Sequence, residues 1–150
     1  MRKSLTFGHL TTAALFAIAA LFISISTAFA AAPNWDTTGS YEVAFTCTTG
    51  CSGTYNHDLT LAQDGSGNLT GSGGSPVGAH VYNWTLTSGT VDADSIAFSA
   101  NYTSTPDAVT PQTTMNVAGT IVGGSMSGTW TDNYQGAARS GTWTTVSGTA

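Results

Sequence analysis

The sequence predicts an all-β domain and, within that class, an eight-stranded antiparallel up-and-down barrel. Beyond residue 30 the chain is rich in Ser, Thr, Gly and Asn, which are poor helix formers, and it holds one Glu and no Lys. Apolar residues recur there with the period of two that half-buried strands show. Eight such segments follow one another, and eight strands are enough to close a small barrel.

In each of the eight segments, alternate residues are mostly apolar, aromatic or glycine. In chain order the segments span 41–45, 55–61, 69–73, 82–86, 96–102, 115–121, 126–130 and 141–145. Turn-forming residues lie between several of them, such as 64–68 (Asp-Gly-Ser-Gly-Asn) and Gly123-Gly124. Consecutive strands joined by tight turns pair antiparallel as a meander. The lack of Lys, which commonly protects open sheet edges, favours closure into a barrel. A two-sheet β-sandwich is the alternative architecture.

A short repeat lies near the C-terminus. The pentapeptide Ser-Gly-Thr-Trp-Thr occupies 127–131 and recurs at 140–144, thirteen residues later. This shift corresponds to one strand plus one turn, so we expect the two copies on adjacent strands of a hairpin. Trp130 and Trp143 then point to the same face, and each Gly leaves space beside the neighbouring ring.

The eight-strand meander and the stretch 128–133 (Gly-Thr-Trp-Thr-Asp-Asn) resemble the calycin barrels, the group that includes avidins and lipocalins. In those families a similar Gly-x-Trp stretch lies on the first strand, whereas here it lies on the seventh and eighth segments. The resemblance implies a barrel that binds a small, mostly apolar ligand in its mouth without catalysis. No ligand-binding residue of avidins is carried over to this chain.

The first thirty residues predict a secretory signal peptide. A basic start, Arg2-Lys3, precedes the apolar run 13–23, and Ala28-Phe29-Ala30 provides a cleavage site. Residues 31–150 then form one all-β domain, secreted or extracytoplasmic. Membrane association is expected only if the signal segment is retained, because 13–32 could just span a bilayer uncut.

Cleavage leaves a strongly acidic domain. All eight carboxylates lie beyond residue 30, where Arg139 is the one remaining Arg or Lys, so the formal net charge of 31–150 is −7. Such a surface repels phosphate backbones, and we therefore expect no nucleic-acid partner.

Cys47 and Cys51 enclose three residues, and in an oxidising compartment this spacing predicts a disulfide that closes a tight turn.

Residues that support catalysis or metal binding are scarce. His57 precedes Asp58, but neighbours in a strand point to opposite faces, and no Gly-x-Ser-x-Gly elbow occurs. The carboxylates in 64–68 and 92–94 suit turns better than a calcium site, since neither turn offers about six oxygen ligands. His57 and His80 would share a metal only if the fold brought them together. We expect no enzyme activity, no cofactor and no metal.

The aromatic residues give the best candidates for a binding site. Tyr82, Trp84, Trp130 and Trp143 fall on the faces assigned inward and combine apolar area with a hydrogen-bonding tip. We expect them to bind a small apolar or aromatic ligand, unless they form only a packed core. The alternative function is a surface or extracellular interaction domain whose Ser/Thr-rich exterior makes the contacts. The sequence leaves the oligomeric state open.

Overall fold

A computed structural model describes residues 33–76, 82–106 and 113–150. The predicted signal segment and His80 lie outside these residues. Eight strands account for most of the described chain. They are β1 (Gly39–Thr49), β2 (Thr54–Gln63), β3 (Leu69–Gly74), β4 (Asn83–Asp92), β5 (Ser95–Ser104), β6 (Thr114–Val122), β7 (Ser125–Asp132) and β8 (Arg139–Ser147), with a 3₁₀ turn at Tyr134–Gly136.

Every strand pairs antiparallel with its neighbours in sequence, and β8 pairs with β1, which closes the barrel. The predicted up-and-down barrel is confirmed, and the sandwich alternative is wrong. No helix among the described residues is long and apolar enough to cross a membrane. The disulfide between Cys47 and Cys51 is also confirmed, with the two Cα atoms 5.7 Å apart at the β1–β2 turn.

Alternate side chains of all eight strands converge on one interior, as the period of two predicts. The core contains aromatic rings from most strands, including Phe45, Trp84, Phe98, Trp130 and Trp143, each at most 5% exposed. The alternation changes parity once, on β4, where the register with β5 shifts between Leu86 and Ser88.

The three tryptophans of the barrel wall use a common arrangement. Each indole lies on a strand whose neighbour places a glycine directly opposite, in the pairs Trp84–Gly73, Trp130–Gly141 and Trp143–Gly128. Each indole N–H then donates to an acceptor one strand further on. The three bonds are Trp84 to His57 Nδ1 (3.1 Å), Trp130 to the Thr46 carbonyl (3.3 Å) and Trp143 to the Ala118 carbonyl (3.1 Å).

The glycines opposite the rings fill positions that a larger residue could not occupy. A Cβ on Gly141 would overlap the Thr46 carbonyl oxygen, and one on Gly128 would overlap the Ala118 carbonyl oxygen. A Cβ on Gly73 would overlap the Trp84 ring itself. The repeat therefore behaves as predicted, with its copies on adjacent strands, both tryptophans inward and each Gly beside a ring.

Candidate functional site

The two ends of the barrel differ in how they are closed. At the end where β2 meets β3, the segment that precedes β1 folds across the opening. Trp35 donates its indole N–H to Asp94 (2.9 Å), and Thr37, fully buried, donates its N–H and hydroxyl to Gln63 Oε1 (3.0 and 2.8 Å). Tyr41 in turn donates to the Thr37 carbonyl (2.9 Å). This end is sealed by hydrogen bonds within the chain.

At the opposite end a cavity of about 70 Å³ opens to solvent between the strands. We call this cavity the mouth. It is lined by Phe45, Cys51, Tyr55, His57, Tyr82, Tyr102, Met115, Trp130, Asp132 and Arg139. Most of the lining is aromatic, and these rings pack edge to face, with centroids 6.1 Å apart for Phe45 and Trp130 and 6.2 Å apart for Tyr82 and Tyr102.

One ion pair forms the polar centre of the mouth. Arg139 donates through Nε (2.8 Å) and Nη2 (2.6 Å) to the two oxygens of Asp132, whose side chain is completely buried. The Asp132 carboxylate also accepts the Tyr102 hydroxyl (3.3 Å) and the Tyr134 N–H (3.2 Å), and the guanidinium lies 4.3 Å from the centre of the Tyr134 ring. Burial, together with the Asp132 charge, raises the pKa of Tyr102 well above its usual range. Because the charges of Arg139 and Asp132 offset each other, this ion pair adds little net charge to the mouth.

His57 is the histidine of the mouth lining. It lies on β2, is 7% exposed, and accepts the Trp84 indole N–H through Nδ1. Its ring also contacts the Phe45 ring edge to face, at 5.4 Å between centroids. Burial lowers the pKa of His57 to about 4, against a smaller raising effect of the Asp58 charge. The imidazole is therefore neutral at neutral pH.

The four predicted ligand-binding residues separate into two pairs. Tyr82 and Trp130 line the mouth. Trp84 and Trp143 lie deeper in the packed interior, at 1% and 2% exposed, and are not among the lining residues. Their role in binding stays a prediction.

Sequence reasoning did not assign Asp132, Arg139 and His57 to the mouth. Arg139 offered one usable signal, because the only Arg or Lys of the 31–150 domain faces a carboxylate across a hairpin. For His57 the sequence favours a polar residue of the barrel wall over a catalytic or metal-binding one, and it gives no signal that the side chain faces an open cavity.

The turn residues singled out by sequence have structural roles. The Asp64 carboxylate accepts hydrogen bonds from the Asn68 side-chain amide (2.8 Å) and from the backbone N–H groups of Asn68 (2.9 Å) and Ser66 (2.8 Å). These bonds lower the pKa of the carboxyl, and the bond from the Asn68 side chain has the largest effect. Among 33–76, 82–106 and 113–150, no group of three or more His, Cys, Asp or Glu residues could hold a metal ion. The turn at 64–68 is held by hydrogen bonds between its own residues.

The comparison with known proteins gives no family. Neither a protein-family model nor a curated protein matches this chain.

Proposed function

We propose that this protein is a secreted, non-enzymatic barrel that binds a small apolar or aromatic ligand in the mouth. The observation that carries the proposal is the difference between the ends: one is sealed, while the other opens into a cavity lined mainly by aromatic rings. Sites for small molecules combine apolar lining with a few placed polar groups. The calycin-like resemblance supports the same function.

The size of the mouth sets the size of the bound group. Its volume of about 70 Å³ is far below the roughly 300–1,000 Å³ that is common for pockets of drug-sized ligands. One small ring or a short alkyl chain can enter, and the rest of a larger molecule stays outside. We therefore expect end-on binding, with Tyr82 and Trp130 beside the inserted group.

Secretion is supported by two independent features. The basic and apolar pattern of residues 1–30 is typical of an export signal. The Cys47–Cys51 disulfide is of a kind that persists in oxidising compartments.

Titration of the full domain with indole, toluene and acetophenone tests the proposal. We expect a saturable change in tryptophan fluorescence, together with NMR shifts confined to residues that line the mouth. Tyr82→Ala removes one wall of the cavity at a partly exposed position, and we expect it to weaken binding about tenfold. Val122→Ala, at an exposed site near the sealed end, is the matched control and should not change affinity. No saturable response to any of the three probes would refute the proposal.

A second candidate function is an extracellular interaction domain. The outward faces of β5 to β8 hold no Asp, Glu, Lys, Arg or His and consist mainly of Ser, Thr, Asn and Ala, an unusually uncharged exterior. A neutral, hydroxyl-rich polymer would suit such a surface. Retention on microcrystalline cellulose that is lost in the Thr129→Lys/Thr142→Lys variant, with no response to the ring probes, would favour this function over the first.

A further inference from the structure

The proton position on His57 follows from its partner. An indole N–H can only donate, so the Nδ1 atom that accepts it from Trp84 at 3.1 Å carries no proton. In a neutral imidazole the proton then lies on Nε2. The lowered pKa of His57 keeps the ring in this neutral form at neutral pH. His57 is thus held as a fixed donor by Trp84.

The Nε2–H of His57 has no hydrogen-bond acceptor within the described residues. No side-chain nitrogen or oxygen buried in that part of the chain lacks a partner, so this atom lies on the accessible surface of the mouth. Among the other polar groups of the lining, Tyr55 donates to the Ser52 carbonyl (2.6 Å), Tyr102 donates to Asp132, and Arg139 uses Nε and Nη2 to bond Asp132. Tyr82 is partly exposed, whereas His57 is buried and its ring is held by the hydrogen bond from Trp84.

The contrast with the other two wall tryptophans supports a role for this histidine. Trp130 and Trp143 donate to backbone carbonyls, which any residue could supply. Of these three wall tryptophans, only Trp84 donates to a side chain, and that acceptor faces the mouth. That side chain satisfies the indole and also offers a second hydrogen-bonding atom to the cavity.

We propose that His57 determines the specificity of the mouth, by donating its Nε2–H to a neutral acceptor oxygen on a small aromatic or apolar ligand. The acceptor is a carbonyl, ether or hydroxyl oxygen. This inference rests on the proposed binding function and names its ligand class. A neutral ligand is favoured over an anion because Asp132 already pairs with Arg139 and the domain as a whole is strongly acidic.

Two matched probes isolate the hydrogen bond. Acetophenone and α-methylstyrene have the same shape, but the carbonyl oxygen of the first is a CH₂ group in the second. His57→Asn keeps an acceptor for Trp84 near the Nδ1 position and withdraws the donor from the mouth. His57→Gln has a side chain one methylene longer than that of Asn, so its amide N–H can donate near the position of Nε2. NMR of the Trp84 indole N–H reports whether each variant keeps the fold, and two-bond ¹H–¹⁵N correlation reports the His57 tautomer.

We expect the wild type to prefer acetophenone over α-methylstyrene, and this preference to fall about 3- to 10-fold in His57→Asn but less than twofold in His57→Gln. Benzoate should bind more weakly than acetophenone. If both probes bind the mouth with the same preference in wild type and His57→Asn, the role of His57 is refuted while the binding function stands. A ring protonated at Nδ1, or tighter binding of benzoate, overturns the inference as well. If neither probe binds, the proposed function fails, and this inference fails with it.

Discussion

The sealed end and the mouth of this barrel use the same kinds of residue for different purposes. At the sealed end, a continuous set of hydrogen bonds links Trp35, Thr37, Tyr41 and Gln63, and the Trp35 indole N–H donates to Asp94. At the mouth, aromatic rings surround an ion pair and a neutral histidine, and the Nε2–H of His57 stays open to the cavity.

The difference shows how a small barrel can separate stability from binding. A buried polar network in which every group has a partner stabilises one structure, because breaking any bond exposes an unsatisfied group. A donor that lacks a partner is useful only where a ligand or water can reach it. Substitutions at each end, and a change of pH, therefore separate the two roles.

Removing the Asp132 carboxylate should destabilise the mouth most. Asp132→Ala leaves Arg139, with 18% of its side chain exposed, without its partner. Loss of one member of a buried pair typically costs about 3–5 kcal/mol. We expect a loss of this size in the free energy of unfolding, measured by urea denaturation.

A double variant controls for the loss of charge. Asp132→Leu/Arg139→Met removes both charged groups, and replacing a whole buried pair with apolar residues is often neutral. We expect it to recover most of the stability lost in the single variant. Equal losses in the two variants would mean that the cost comes from the hydrogen bonds that Asp132 accepts and not from an unpaired Arg139 charge.

At the sealed end, Gln63→Ala should cost about 2–3 kcal/mol of unfolding free energy, because three hydrogen bonds are lost and the N–H of Thr37 remains buried. Thr37→Val removes only the hydroxyl and should cost about 1 kcal/mol. Ligand affinity at the mouth should not change in either variant. A weaker response to the ring probes would show that the two ends are coupled.

Acid should weaken the mouth through His57 before it affects the sealed end. The pKa of His57 is about 4 in the folded protein, against 6.5 for the free side chain, so the unfolded state binds more protons between these values. The stabilising effect of a neutral His57 is complete above pH 6.5 and is lost as the pH falls toward 4. From this single group we expect a loss of about 2 kcal/mol between pH 7.5 and pH 5.

Urea denaturation of wild type and His57→Asn at both pH values measures this effect. The variant lacks the titrating ring, and its stability should change much less over the same interval. The carboxyls of Asp64 and Asp94 have lowered pKa values, so their stabilising effect is lost only below about pH 4. A similar loss in the variant would assign the pH dependence to another group.

Much of the barrel could be predicted from sequence because its strands alternate regularly and its turns are short. The parity change on β4 was not predicted. There the apolar positions switch from Trp84 and Leu86 to Val91, and the register shift between Leu86 and Ser88 turns Val91 inward. A bulge of this kind shows in sequence only as a break in the alternation, and Gly89 beside it gives a weak signal.

The mouth was harder to predict because its lining residues come from strands that are far apart in sequence. Asp132 and Arg139 face each other through the register of β7 and β8. His57 reaches Trp84 across β3, and that contact depends on the absence of a side chain at Gly73. The contact between His57 and Trp84 is not local in sequence, whereas Tyr82 and Trp130 could be selected because large inward aromatic residues are informative by themselves.

The smallest expected effect concerns the exposed edge of the sealed end. Asp94 accepts the Trp35 indole N–H (2.9 Å) and the Asn34 side-chain amide (3.0 Å), and these two bonds lower the pKa of its carboxyl. Asp94→Ala should lower the free energy of unfolding only slightly, because water can replace an exposed acceptor. Asp92→Ala is the matched control, since Asp92 is also exposed in the same turn region and makes neither of these bonds, and its effect should stay within about 0.5 kcal/mol. If both variants lose the same stability, the bonds from Asn34 and Trp35 do not hold the segment in place, and the seal depends on the bonds of Gln63 and Tyr41.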